Sequence, residues 1–182
     1  YIGENNHFVS PKHSYVDVRR AKYITIGNNC CFSVVTIMAH DFSWYIFARS
    51  HNDLLPDSGG EVTIGNNVFV GYKSVILKNV TIGDNVIIGA YSVVTKDIPS
   101  NTVWAGTPAR MICTLDELYE RRKAEELDTA RYFLDFFNRK HNRCPNINEL
   151  EYFSFLFLER TGENYDKYIR KLRFNNVYDD PK

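Results

Sequence analysis

The stretch Ile64–Pro99 decides the fold. Written in sixes it reads IGNNVF, VGYKSV, ILKNVT, IGDNVI, IGAYSV, VTKDIP. Each unit opens on a β-branched aliphatic residue, in turn Ile64, Val70, Ile76, Ile82, Ile88 and Val94. About one residue in six of this chain is Ile or Val. Six in one frame therefore has a chance of roughly one in sixty thousand, and the repeat is real. Gly follows at Gly65, Gly71, Gly83 and Gly89, and a small or aliphatic residue fills every fifth place. A helix would need a period of 3.6, and plain strand alternation would not put Gly at fixed sixes. Each unit is therefore a short strand plus a corner, with Gly or Asn tolerating the backbone angles of the turn. Three units close a triangular coil, so residues 18 apart stack about 4.8 Å above one another in parallel strands. Upstream, the same step runs in its own frame through Ile26, Phe32 and Met38, and more loosely through Ile2 and Phe8.

From Met38 to Ile64 is 26 residues, which is not a multiple of six. The segment from about 41 to 61 therefore leaves the coil as a protruding loop. A loop this long inside a compact coil is functional or disordered, and Phe42, Trp44, Tyr45 and Phe47 argue for a surface to cover. Two readings stand open: an arm that packs over a neighbouring subunit, or a loop folded back on its own coil. His40 stands at its base. A hydrogen-bonded turn histidine is the bland reading of this residue. Its place where regularity stops, and a side chain that titrates near neutral pH, make it a candidate base.

Composition narrows the rest. Lys plus Arg and Asp plus Glu number 22 each in 182 residues, so no charge excess points to nucleic acid or an anionic membrane. No window is apolar enough to span a bilayer, and no basic-then-apolar leader opens the chain. Cys30, Cys31, Cys113 and Cys144 form no metal-ligand spacing and read as reduced thiols of a cytoplasmic protein. A zinc site would need three converging histidines, and only His51 lies near His40, so no metal is expected.

These units, closing in VTKDIPSNTVWAGTPAR and preceded by SYVDVRRAKYITIGNNC and TIMAHDFSW, resemble the hexapeptide-repeat acyltransferases. Within them the match is most similar to the sugar and polysaccharide O-acetyltransferases of the maltose and galactoside acetyltransferase type. The resemblance covers residues 1–113 and implies a mainly β fold, a left-handed parallel β-helix, with the loop protruding from it. It also implies an acetyl-CoA-dependent transfer to a carbohydrate hydroxyl, in a homotrimer whose active sites lie between subunits. His40 matches the family's general base. Asp17 matches an aspartate that contacts the acceptor sugar, although an Asp capping its own turn or orienting an imidazole fits as well. Asp41 and Trp44 fall on the acceptor side. Tyr72, Ala90, Thr95, Lys96 and Arg110 fall at the CoA contacts, with Lys96 and Arg110 meeting phosphates as cations. Ser10 replaces an Asn near the acceptor, Tyr72 a smaller residue and Cys113 a basic one, so these contacts differ from the family pattern. Trp104 is placed either to stack on adenine or to pack at the coil end. An N-acyltransferase of a nucleotide amino sugar, an antibiotic acetyltransferase and a non-catalytic scaffold are the alternatives.

Residues 114–182 form the expected α-helical extension. Thr114 with Glu117 has capping-box form, and Leu127, Ala130, Leu134 and Phe137 recur at helical spacing. Further helices are expected over 148–162 and 165–174.

Overall fold

The computed structural model describes residues 1–146, 149–150 and 161–163. The chain forms two compact units, Tyr1–Glu120 and Arg121–Lys182. In the first, successive six-residue units visit three sheets in turn. Val62–Ile64 lies in one sheet, Phe69–Val70 in the next, Val75–Ile76 in the third, and Val80–Ile82 returns to the first. Parallel pairing joins residues one coil apart: Ile64 with Ile82, Val70 with Ile88, Ile76 with Val94.

The period comes from what faces inward. All six opening aliphatics of Ile64–Pro99 are buried, and so are the fifth-place residues Val68, Ser74, Val80, Val86, Ser92 and Ile98. Fifth and first places flank one outward residue, as Val68 and Val70 flank the exposed Phe69, because side chains alternate across a strand. A lone coil would leave Val68 and Val86 uncovered if they faced outward; both are fully inside it, and they give no support to a subunit contact. The two buried serines are satisfied, since Ser74 and Ser92 both donate to the Gly89 carbonyl, at 2.9 and 2.7 Å.

The corners correct the expected role of glycine. Left-handed backbone angles fall on Asn67, Lys73, Asn79, Asn85 and Tyr91, not on the repeat glycines. Gly71 is needed for close approach instead: a Cβ there would stand 2.5 Å from the Ala90 amide nitrogen of the next coil. Asn side chains stack along one corner, with Asn67 donating to Asn85 and Asn85 to Asn101, each at 2.9 Å.

The upstream frame also needs correction. Phe32 pairs with Val70, but Ile37 pairs with Ile76, so this unit is one residue short. Ile37 is therefore the fully buried residue and Met38 only half-buried. Phe8 stacks on Phe32 with ring centres 4.7 Å apart and closes the lower coil.

Residues 41–61 leave the coil as expected but are not all loop. Helix α1 (Trp44–Ser50) occupies the outgoing limb. The returning strand Ser58–Gly59 pairs antiparallel with His40–Asp41, which closes the arm at its root. At the other end, Arg110–Thr114 folds back antiparallel on Thr102–Ala105. The capping box forms there: the Glu117 carboxylate accepts from the Thr114 amide at 2.7 Å, and the Thr114 hydroxyl accepts from the Glu117 amide at 3.2 Å. Helix α2 (Leu115–His141) begins at that cap.

In the second unit Ala130 is buried and Phe137 half-buried, whereas Leu127 and Leu134 are exposed. Arg143 holds Glu149 at 2.6 Å, and the Asn146 amide donates to the same carboxylate at 2.9 Å. The further helices expected over 148–162 and 165–174 fall for the most part outside the described residues. Among the described residues no helix is long and apolar enough to cross a membrane.

Candidate active site

Two neighbouring strands of one sheet end side by side and build the site. Tyr15–Val16 pairs with Thr36–Ile37, and the Asp17 amide donates to the Ile37 carbonyl at 3.0 Å. Asp17 then caps a 3-10 helix, Val18–Tyr23, by accepting from the Arg20 amide at 3.3 Å. Its second oxygen accepts from the Ala39 amide at 3.1 Å and from Nδ1 of His40. Asp17 is 0% and His40 5% exposed. Burial pushes the Asp17 carboxyl up, but the hydrogen bonds from His40 and the Ala39 amide outweigh it and hold the group below its ordinary value. With Nδ1 donating to a carboxylate, the neutral ring carries its lone pair on Nε2. That nitrogen is the one able to take a proton. The burial of Asp17 also corrects one expectation: its carboxylate meets the imidazole and backbone, and is closed to an acceptor sugar.

Aromatic residues of the arm stand next to this pair. Phe42 lies edge-on to the imidazole with centres 4.8 Å apart, and Trp44 lies 6.5 Å beyond Phe42. Trp44 is half-buried, and its indole Nε1 is buried without a hydrogen-bond partner. Asp41 turns away from the imidazole, as successive residues of a strand must. One of its oxygens takes Lys78 and the other takes the Ser43 amide and hydroxyl. The hydrogen bonds from Lys78 and then Ser43 hold its carboxyl well below the usual range. Both oxygens are engaged at the root of the arm.

The expected CoA residues lie at the two corners that flank the same sheet. Tyr72 and Ala90, one coil apart, stand between Phe69–Val70 and Val75–Ile76 and their counterparts above. Thr95 and Lys96 stand at the next corner, after Val93–Val94, which is the corner His40 occupies two strands lower. Arg110 begins the closing strand beside Ala105. All five are exposed. Trp104 is 8% exposed within the core and donates Nε1 to Thr102 at 3.0 Å, so it packs the coil end and offers no face to adenine. Among the described residues no group of three His, Cys, Asp or Glu side chains is placed to hold a metal.

A model of the bacterial transferase hexapeptide (six repeats) matches residues 61–96, the stretch whose period built the coil. This stretch is similar to the repeats of the hexapeptide transferases. This hexapeptide-repeat chain is 43% identical over 109 residues to protein CapG of Staphylococcus aureus, covering 59% of itself and 62% of that protein. It is 42% identical over 93 residues to the 2,3,4,5-tetrahydropyridine-2,6-dicarboxylate N-acetyltransferase of Halalkalibacterium halodurans, covering 51% of itself and 34% of that enzyme. It thus spans less than two thirds of either relative. A solved hexapeptide-repeat acetyltransferase from Vibrio cholerae superposes with a TM-score of 0.50 at 22% identity, covering 63% of this chain and 73% of that one. The shared architecture is the left-handed parallel β-helix that the family resemblance implies.

Reading the sequence singled out His40 and Asp17 but missed Lys78 and Arg20. Lys78 lies in the corner LKN, which reads as solvated surface. The available signal was the carboxylates Asp41 and Asp57, which stand near the two ends of the arm.

Proposed function

We propose that the chain is an acetyl-CoA-dependent O-acetyltransferase acting on a hydroxyl of a sugar or surface-polysaccharide precursor. The observation that carries this reading is the buried Asp17–His40 pair at the point where the arm leaves the coil. His40 Nε2 removes the acceptor hydroxyl proton as that oxygen attacks the thioester carbonyl. Asp17 keeps Nδ1 protonated and offsets the charge of the imidazolium that forms. The tetrahedral intermediate then collapses, the C–S bond breaks, and the imidazolium returns the proton to the leaving thiolate. No acyl-enzyme is needed. Trp44 walls the acceptor side, while Tyr72, Ala90, Thr95, Lys96 and Arg110 line the path of CoA. Acetyl-CoA as donor suits a cytoplasmic enzyme.

The same reading makes the protein a homotrimer. His40 and the Tyr72–Ala90 corner stand at opposite edges of one sheet, which supports a groove shared by two copies. The arm supports it too, because Phe42, Tyr45, Ile46 and Leu54 are left exposed on a single chain. A thiol-release assay with acetyl-CoA against a panel of sugars tests the activity. Release with no member of the panel would reject it.

A second reading, transfer to an amine, is favoured by the likeness to an N-acetyltransferase of Halalkalibacterium halodurans. Nucleotide amino sugars in the same panel separate the two, since an N-acyltransferase releases thiol with these and with no neutral sugar.

A further inference from the structure

Beside the histidine, Lys78 fastens the arm to the coil. Lys78, at the corner after Val75–Ile76, gives its ammonium to three acceptors: Asp41 Oδ2, the Ser58 hydroxyl and the Ser58 carbonyl at 3.1 Å. Asp41 and Ser58 face each other across the antiparallel pair at the arm's root, and His40 faces Gly59 in the same pair. The second oxygen of Asp41 accepts from the Ser43 amide at 3.0 Å and the Ser43 hydroxyl at 2.5 Å, immediately before α1. A continuous set of contacts therefore runs from Lys78 through Asp41 and Ser43 to the start of the helix that carries Trp44.

An isolated, exposed Lys–Asp pair contributes little to stability. Here the geometry differs. The ladder at the root is two residues on each side, too short to hold the excursion over residues 42–57 on its own. All three ammonium donors are engaged, and they bridge both limbs of the arm at once. A second ion pair, Arg20 with Asp57 at 2.5 Å, ties the returning limb to the helix that Asp17 caps.

We propose that Lys78 is a positioning residue: through Asp41 and Ser58 it holds Phe42 and Trp44 beside His40, and so sets acceptor affinity while touching neither substrate. The effect on acceptor affinity rests on the acyl-transfer reading above; the fastening of the arm does not.

The test uses a Trp104→Phe parent, which leaves Trp44 as the single tryptophan. Lys78→Met and the near-isosteric Asp41→Asn are compared with Lys78→Arg, each by acrylamide quenching of Trp44 and by steady-state kinetics. Both disruptive variants are expected to raise the quenching constant about twofold. The acceptor KM should rise five- to tenfold, with kcat and CoA affinity within twofold and Lys78→Arg close to the parent. Unchanged Trp44 quenching in both variants would overturn the proposal, as would a loss of CoA affinity equal to the rise in acceptor KM. Should Lys78→Met fail to fold, Asp41→Asn carries the comparison. Should the parent acetylate no carbohydrate, the functional reading fails, and the fastening stands or falls on quenching alone.

Discussion

One oxygen of Asp17 receives both the Ala39 amide and Nδ1 of His40, from a strand that ends directly beside the one leading to the histidine. The pairing joins residues 23 apart in sequence. It fixes which imidazole nitrogen is left free to take a proton.

Asp17→Asn keeps the shape of the side chain but removes the charge that orients and supports the ring. A positioned base contributes about 10²- to 10⁴-fold to such a reaction. The substitution is expected to lower kcat by about a hundredfold while leaving CoA affinity within twofold. Equal loss of both would mean a collapsed site.

The same carboxylate gives a pH signature. Its folded value lies below the ordinary 3.8, so its stabilising effect is fully present above that value and is lost as pH falls through the folded one. The difference in urea midpoint between the wild type and Asp17→Asn should therefore shrink as pH drops below about 4. A difference that grows there would reverse the sign of the argument.

Close packing between coils predicts an intolerant glycine. Gly71→Ala sets a Cβ 2.5 Å from the Ala90 nitrogen and should cost about 1–3 kcal/mol, read from urea unfolding. Gly59→Ala, whose Cβ would meet the Ala39 carbonyl oxygen at an ordinary 3.6 Å, serves as the mild control.

The arm's uncovered apolar face predicts an assembly. Ile46 is 60% exposed on α1. Ile46→Asp should convert a trimer into smaller species in sedimentation and remove most transfer activity, with the coil's circular dichroism unchanged. A protein that is monomeric before substitution would reject the shared groove.

Much of the coil was legible because burial writes itself into the repeat. Ile64 through Val94 open each unit, and all point inward. The errors have physical causes. Val68 and Val86 point inward as well, because a strand puts two residues inward around one outward residue. The upstream frame falls on Met38 instead of Ile37 because one residue is missing at a corner, where length can change without disturbing the strands. Helix α1 is not legible in the sequence, since WYIFARS shows no polar–apolar period to announce it. The break in the repeat pointed to His40. Its partner and the Lys78 clasp depend on side chains brought together by register, which spacing alone does not encode.

The most direct test of the account is His40→Ala, assayed for acetyl transfer and, separately, for CoA binding by thermal shift. The account predicts a loss of transfer of about a hundredfold or more with CoA binding intact. A mutant that keeps a tenth of the wild-type rate would contradict His40 as the base.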